Sequence, residues 1–166
     1  MPEVSEPDHL LAALKQTEVG NALIIAGTVD DWLQKLLLTA GRELSNAEAK
    51  SVFTGMGPLA SFSGKIEIAY LFSLIDTSDR NDLHLIRRIR NNFAHTTRFV
   101  TFNSEHIIKD VQKLSNWKEG MNAQTCYVER AFDCVTNMKA KMDSLLLAQA
   151  LRTEPTVIMD DDGQGA

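Results

Sequence analysis

Four arginines, two asparagines and a histidine fall within twelve residues of this chain. The stretch "RRIRNNFAHTTR" holds Arg87, Arg88, Arg90, Asn91, His95 and Arg98 with no acid between them. An arginine guanidinium presents a planar fork of donors that matches a phosphate. A histidine can take the proton from a ribose 2′-hydroxyl or return one to the leaving oxygen, and that reaction needs no metal. The set therefore suits phosphate binding and, if Arg90 and His95 reach one phosphate, RNA cleavage. Five residues of ideal helix separate Arg90 from His95 by ~140° around the axis, so one continuous helix does not put them on one face. They converge if the helix ends near Phe93, or if two copies of the segment meet across a twofold axis. Asn91 and His95, four apart, share a face while the helix lasts. A plainer reading makes the segment a helix C-terminus, where the dipole favours cations and asparagine commonly ends the helix, with Phe93 as core.

These side chains need helices to hold them, and the periodicity supplies helices almost throughout. Residues 1–7 read as a loose tail. A short helix from Pro7 or Asp8 carries Leu10, Leu11 and Leu14. A second, from Val19 to Leu37, has apolar residues at three-and-four spacing and stops at Gly41. Ser45 and Glu48 form a capping-box pattern before "NAEAKSVF". Gly55, Gly57 and Pro58 break the chain, and Ser61 or Ser63 caps a helix with Phe62, Ile66, Ala69, Tyr70 and Leu74 inward. "DTSDRND" reads as a turn. The arginine helix follows with Leu83, Ile86, Phe93 and either Ile89 or Arg90 inward. "TTRFVTFN" alternates weakly and is expected to be extended. Ser104 is expected to cap "EHIIKDVQKL". A final helix from about 122 to 151 carries Tyr127, Ala131, Cys134, Val135, Met138, Met142, Leu145 and Ala148 on one stripe. The fold class is all-α, an antiparallel bundle of six or seven helices in one domain over 8–151.

Bulk properties bound the function. At 166 residues, 44% hydrophobic and 23% charged, the chain can bury a core unaided. A net charge of -5 argues against a general polyanion binder. The charge is uneven: Arg152 against Glu154, Asp160, Asp161 and Asp162 leaves residues 152–166 at -3 and everything before them at -2. That stretch reads as a disordered acidic tail, and its competition with nucleic acid for the arginines is one role it could take. Cys126 and Cys134 are eight apart, ~12 Å along a helix, too far for a disulfide. Unpaired thiols, the absence of a signal-like opening in "MPEVSEPDHL", and the absence of a ~20-residue apolar run predict a cytoplasmic protein off the membrane. His9, His84 and His106 lack ligand spacing, so neither a metal nor a cofactor is expected.

Two resemblances sharpen this reading. "RNNFAH" resembles the Arg-(four to six residues)-His motif of the HEPN superfamily, small all-α bundles of which many are homodimeric, metal-independent ribonucleases. On that resemblance Arg90 is the motif's arginine, Asn91 its polar neighbour and His95 its histidine. A broader resemblance, over roughly residues 18–135, is to the mannitol repressor family of bacteria. It is carried by "NALIIAGTVDDWLQKLL", "GPLASFSGKIEIAYLFSLID", "DLHLIRRIRNNFAH" and "FVTFNSEHI", with Gly57-Pro58-Leu59, Ser63 and Lys65 among the matching residues. It implies a helical transcriptional regulator that represses the mannitol operon.

The residues themselves contain poor DNA-reading equipment. The nearest helix-turn-helix pattern, "LLLTAGRELSNAEAKSVF", offers Asn46, Glu48 and Lys50 on its second helix, a single cation beside an acid. "GMGPL" reads as a tight turn, and Gly64-Lys65 leads into Ile66 and not into a phosphate-loop Ser or Thr. Asp30 and Asp31 interrupt an apolar run; pairing with an arginine of "RRIR" is preferred over exposure to solvent. The expected binding residues are thus Arg87, Arg88, Asn91, Arg98 and Lys65, with Arg90 and His95 catalytic if the chain is a nuclease. The partner is a protein or a nucleic acid, and a homodimer would bring two motifs together. The leading expectation is a mannitol-repressor-like regulator acting by partner binding. The alternatives are a metal-independent endoribonuclease and a non-catalytic interaction module.

Overall fold

The computed structural model describes residues 6–95 and 100–153, with side-chain detail for 17–95 and 100–152. Six helices and no strand occur among the described residues: α1 (Glu6–Ala40), α2 (Asn46–Phe53), α3 (Phe62–Leu71), α4 (Thr77–His95), α5 (Glu105–Val111) and α6 (Ala123–Thr153). The all-α bundle expected from periodicity is the observed fold. No described helix is long and apolar enough to cross a membrane.

The first two expected helices are one. Residues 15–18 contain no breaker, and Gly20 costs only ~1 kcal/mol in a helix interior, so α1 runs unbroken for 35 residues. Its buried stripe, Ala22, Ala26, Val29, Leu33, Leu36 and Leu37, packs most extensively on α6. Tyr127 Oη donates to the Ala22 carbonyl at 3.0 Å, and Gln149 Nε2 donates to the Thr39 carbonyl at 3.2 Å. Both helices ascend in number between these two contacts, so α1 and α6 run parallel. The antiparallel partner of both is α4. Its N-terminal Asp79 meets Arg130 and Asn137 of α6, and its C-terminal Phe93 reaches Tyr127 through Phe102, with centroids 4.9 and 5.4 Å apart. Val100 and Phe102 are buried without forming a strand, and residues 96–99 lie outside the described set.

Local signals set the helix starts. Ser45 and Glu48 close the expected capping box on α2, and Ser61, not Ser63, caps α3 by accepting from the Gly64 amide at 3.0 Å. Between them Gly57 is required: a Cβ there would stand 2.4 Å from the carbonyl oxygens of Ser51 and Val52. Ser104 differs from expectation. Its hydroxyl accepts from the Thr101 amide at 3.0 Å and makes no cap bond to α5. Tyr70 and Ala148 face outward from their stripes. α6 continues through Thr153, two residues into the stretch read as tail, and residues 154–166 lie outside the described set.

The largest correction concerns "DTSDRND". It is not a turn but the first turns of α4, started by Asp76, whose carboxylate accepts from the Asp79 amide at 2.7 Å. Asp79 and Asp82 lie on the same face as Leu83, Leu85 and Ile86 and are buried with them. Buried carboxylates persist where they are paired and hydrogen-bonded. Arg130 of α6, 5% exposed, donates Nη2 to Asp79 at 2.6 Å and Nε to Asp82 at 2.5 Å. Asn137 Nδ2 donates to Asp79 at 3.1 Å, and Ser115 donates its hydroxyl to Asp82 at 2.5 Å. This cluster bolts α4 to α6.

Candidate phosphate-binding site

α4 stays helical through His95. The condition under which Arg90 and His95 would meet inside one chain, an end near Phe93, is therefore not present. The two residues stand ~140° apart around the axis, and both are exposed. Arg90 turns instead to Asn91, donating Nη1 to its Oδ1 at 3.1 Å. Ile89, not Arg90, fills the core position.

Arg87, Arg90 and Asn91 line one cavity of about 300 Å³. Its opposite walls are Gly27 and Asp30 of α1 and the start of α3, including Ser61 and Ser63. The serine hydroxyls are 3.4 Å apart. Arg87 is half-buried, and its Nε is buried with no hydrogen-bond partner among the described residues. A buried donor without a partner costs ~1–3 kcal/mol. Asp30 is held by Lys65, whose Nζ is 2.8 Å from its Oδ1. The contact is an ion pair, although no aligned hydrogen bond reaches that oxygen. Two arginines thus face a carboxylate already neutralised from behind, which leaves the cavity positive.

The expected residues divide accordingly. Arg87, Arg90 and Asn91 come together. Lys65 lies close by but is 3% exposed and committed to Asp30, so it is a buried support and not a surface ligand. Asp30 pairs with that lysine and not with the arginines, while Asp31 is exposed. Arg88 points elsewhere, to Asp110 at 3.3 Å, which Lys113 also reaches at 3.0 Å. Arg98 lies outside the described residues. His95 ends α4, outside the set of residues that lines the cavity. The reading of Ser61 and Ser63 as caps alone missed their place in the cavity wall, although their position just ahead of an amphipathic helix was visible. The helix-turn-helix reading gains nothing, because Glu48 is spent on its cap and its carboxyl is held below the ordinary range by hydrogen bonds from Ser45.

Elsewhere, Glu67 receives Arg80 at 2.8 Å and His84 at 2.6 Å, and the hydrogen bonds from Arg80 and then His84 lower its pKa. This surface trio carries no nucleophile. Burial pushes the Cys126 thiol up to about 11 and the Cys134 thiol up as well, so neither is poised to react. No group of described residues has the composition of a metal site. No protein family, curated protein or solved structure matches this chain.

Proposed function

We propose that this chain is a mannitol-repressor-like transcriptional regulator that acts by binding a partner through the Arg87–His95 side of α4. The supporting observation is the unbroken course of α4. It gathers Arg87, Arg90 and Asn91 over one positive cavity, while His95, one turn beyond Asn91, stays outside the residues that line it. Such a surface grips a phosphate but sets no general base beside it. The partner that fits this chemistry is a nucleic acid held by its backbone, with phosphate contacts dominating affinity. The test is fluorescence anisotropy with labelled single-stranded RNA and duplex DNA across a salt series. Binding that weakens with salt, and weakens at least tenfold in Arg87→Gln/Arg90→Gln, supports the reading. Equal binding by the double variant, with an unchanged salt slope, removes this surface from the function.

A second reading, a metal-independent endoribonuclease, draws on the exposure of both Arg90 and His95. Two copies related by a twofold axis could set Arg90 of one against His95 of the other. His95 would take the 2′-hydroxyl proton, the 2′-oxygen would attack phosphorus to close a 2′,3′-cyclic phosphate, and the P–O5′ bond would break with water protonating the leaving 5′-oxygen. Cleavage of mixed RNA in EDTA, abolished by His95→Ala with its melting temperature unchanged, would establish it. Partial recovery on mixing Arg90→Ala with His95→Ala protein would place the two residues in different copies. Absence of cleavage by the wild-type chain would leave the binding reading alone.

A further inference from the structure

We infer that the cavity between α1, α3 and α4 is a site for a small phosphomonoester that also carries a hydroxyl group. The inference goes beyond partner binding and does not depend on it. Three independent features of the cavity support it.

The first is charge and donor geometry. Donors come from two directions: the guanidiniums of Arg87 and Arg90 from α4, and the Ser61 and Ser63 hydroxyls at the start of α3. Arg87 Nε is the atom with an unmet need, buried and without a protein acceptor among the described residues. Asn91 accepts from one Arg90 nitrogen and so fixes the fork, which reduces the entropy lost when an anion arrives. Donors on several sides suit the three terminal oxygens of a phosphate better than a planar carboxylate.

The second is the acceptor. Asp30 lines the same cavity with a side chain 28% exposed, and Lys65 cancels its charge from the protein side. A carboxylate in that state can accept a hydrogen bond from a hydroxyl without expelling the neighbouring anion. A ligand with a phosphate and a hydroxyl serves both walls, whereas inorganic phosphate serves one.

The third is room. Gly27 sits in the interior of α1, where glycine costs ~1 kcal/mol relative to alanine, and a Cβ there would meet no atom within 4 Å. Protein packing therefore does not require glycine. Gly27 is exposed and leaves open space on the α1 wall of the cavity. The cavity of about 300 Å³ corresponds to roughly ten water volumes at ~30 Å³ each. That is ample room for a three-carbon phosphate.

The experiment is isothermal titration of the full chain with glycerol 3-phosphate, inorganic phosphate, glycerol and a short RNA ending in a 3′-phosphate. Glycerol 3-phosphate is expected to bind saturably and at least tenfold more tightly than phosphate, with glycerol silent. Gly27→Leu, which favours the helix while filling the cavity, is expected to lose that binding at least tenfold. Arg90→Gln, an exposed substitution, should lose it comparably and keeps the test sound if Gly27→Leu melts early. Equal affinity for phosphate and glycerol 3-phosphate would overturn the hydroxyl half of the inference. Silence of all small ligands, or binding of the RNA end alone, would overturn the whole. Gly27→Leu protein that still binds nucleic acid would separate this site from the partner surface.

Discussion

α4 carries charge at both ends, and the two ends use it differently. Near its start, Asp79 and Asp82 are buried and fully engaged by Arg130, Asn137 and Ser115. Near its end, Arg87 and Arg90 line a cavity with a donor still unmet. The same helix is thus a fastener at Asp79 and Asp82 and a grip at Arg87 and Arg90. Charge alone does not mark function: the charges whose partners are complete hold the fold, and those whose partners are incomplete are available for binding.

The strongest way to break this contrast is to cut the fastener. Arg130→Met leaves two buried carboxylates facing each other, and its expected cost is ~3–5 kcal/mol, read as a fall in the urea midpoint. A loss under ~1 kcal/mol would mean that the cluster is less structural than its geometry implies. Adding Asp79→Asn and Asp82→Asn to Arg130→Met should recover part of the loss.

The Lys65–Asp30 pair sits between the two regimes and should respond asymmetrically. Asp30→Ala strands a lysine that is 4% exposed in its side chain and is expected to cost ~3 kcal/mol. Lys65→Met leaves a carboxylate that still reaches solvent and is expected to cost ~1 kcal/mol. Equal costs would indicate that Asp30 is as enclosed as its partner.

The buried side also predicts alkaline behaviour. The folded Cys126 pKa is raised, chiefly by burial, from an ordinary 9.0 to about 11, so the unfolded chain releases its proton first. Stability from this source is complete below pH 9 and declines as pH rises toward 11. Thiol reagents at pH 8 should label neither cysteine in the folded chain. Rapid labelling would show that the α4–α6 seam opens.

The smallest stability effect belongs to the grip. Arg90→Gln should change stability by less than ~0.5 kcal/mol, and Arg88→Gln by ~0.5 kcal/mol, because Arg88 itself is exposed and Lys113 still reaches the buried Asp110. Only the first should affect phosphate binding. A large destabilisation by Arg90→Gln would place it with the fastener.

Much of this arrangement was legible in the residue pattern. The stripes of α1, α3 and α6, the Ser45–Glu48 box and the stop at Gly41 all follow from local chemistry that the structure keeps. The arginine segment was identifiable as a site because three of its residue types, Arg, Asn and His, suit phosphate. What was illegible depended on distant partners. "DTSDRND" is polar enough to read as a turn, and only Arg130, about 50 residues away, makes Asp79 and Asp82 compatible with a core. The heptad relation of Asp79 to Ile86 and of Asp82 to Ile89 was the available clue. Lys65 likewise looked like a surface cation until Asp30 claimed it. The continuation of α4 past Phe93 decides whether Arg90 meets His95, and helix ends are the least determined feature of a sequence.

The pairing of α1 with α6 has a consequence for how the chain comes into being. Ala22 bonds to Tyr127 across 105 residues of sequence, so the earliest long helix has its chief apolar stripe covered by the latest. During synthesis α3 and α4 can cover part of α1, but the face that α6 covers waits until α6 emerges. A ribosome-bound nascent chain lacking α6 should therefore attract chaperones and resist compaction, and folding should complete in one late step.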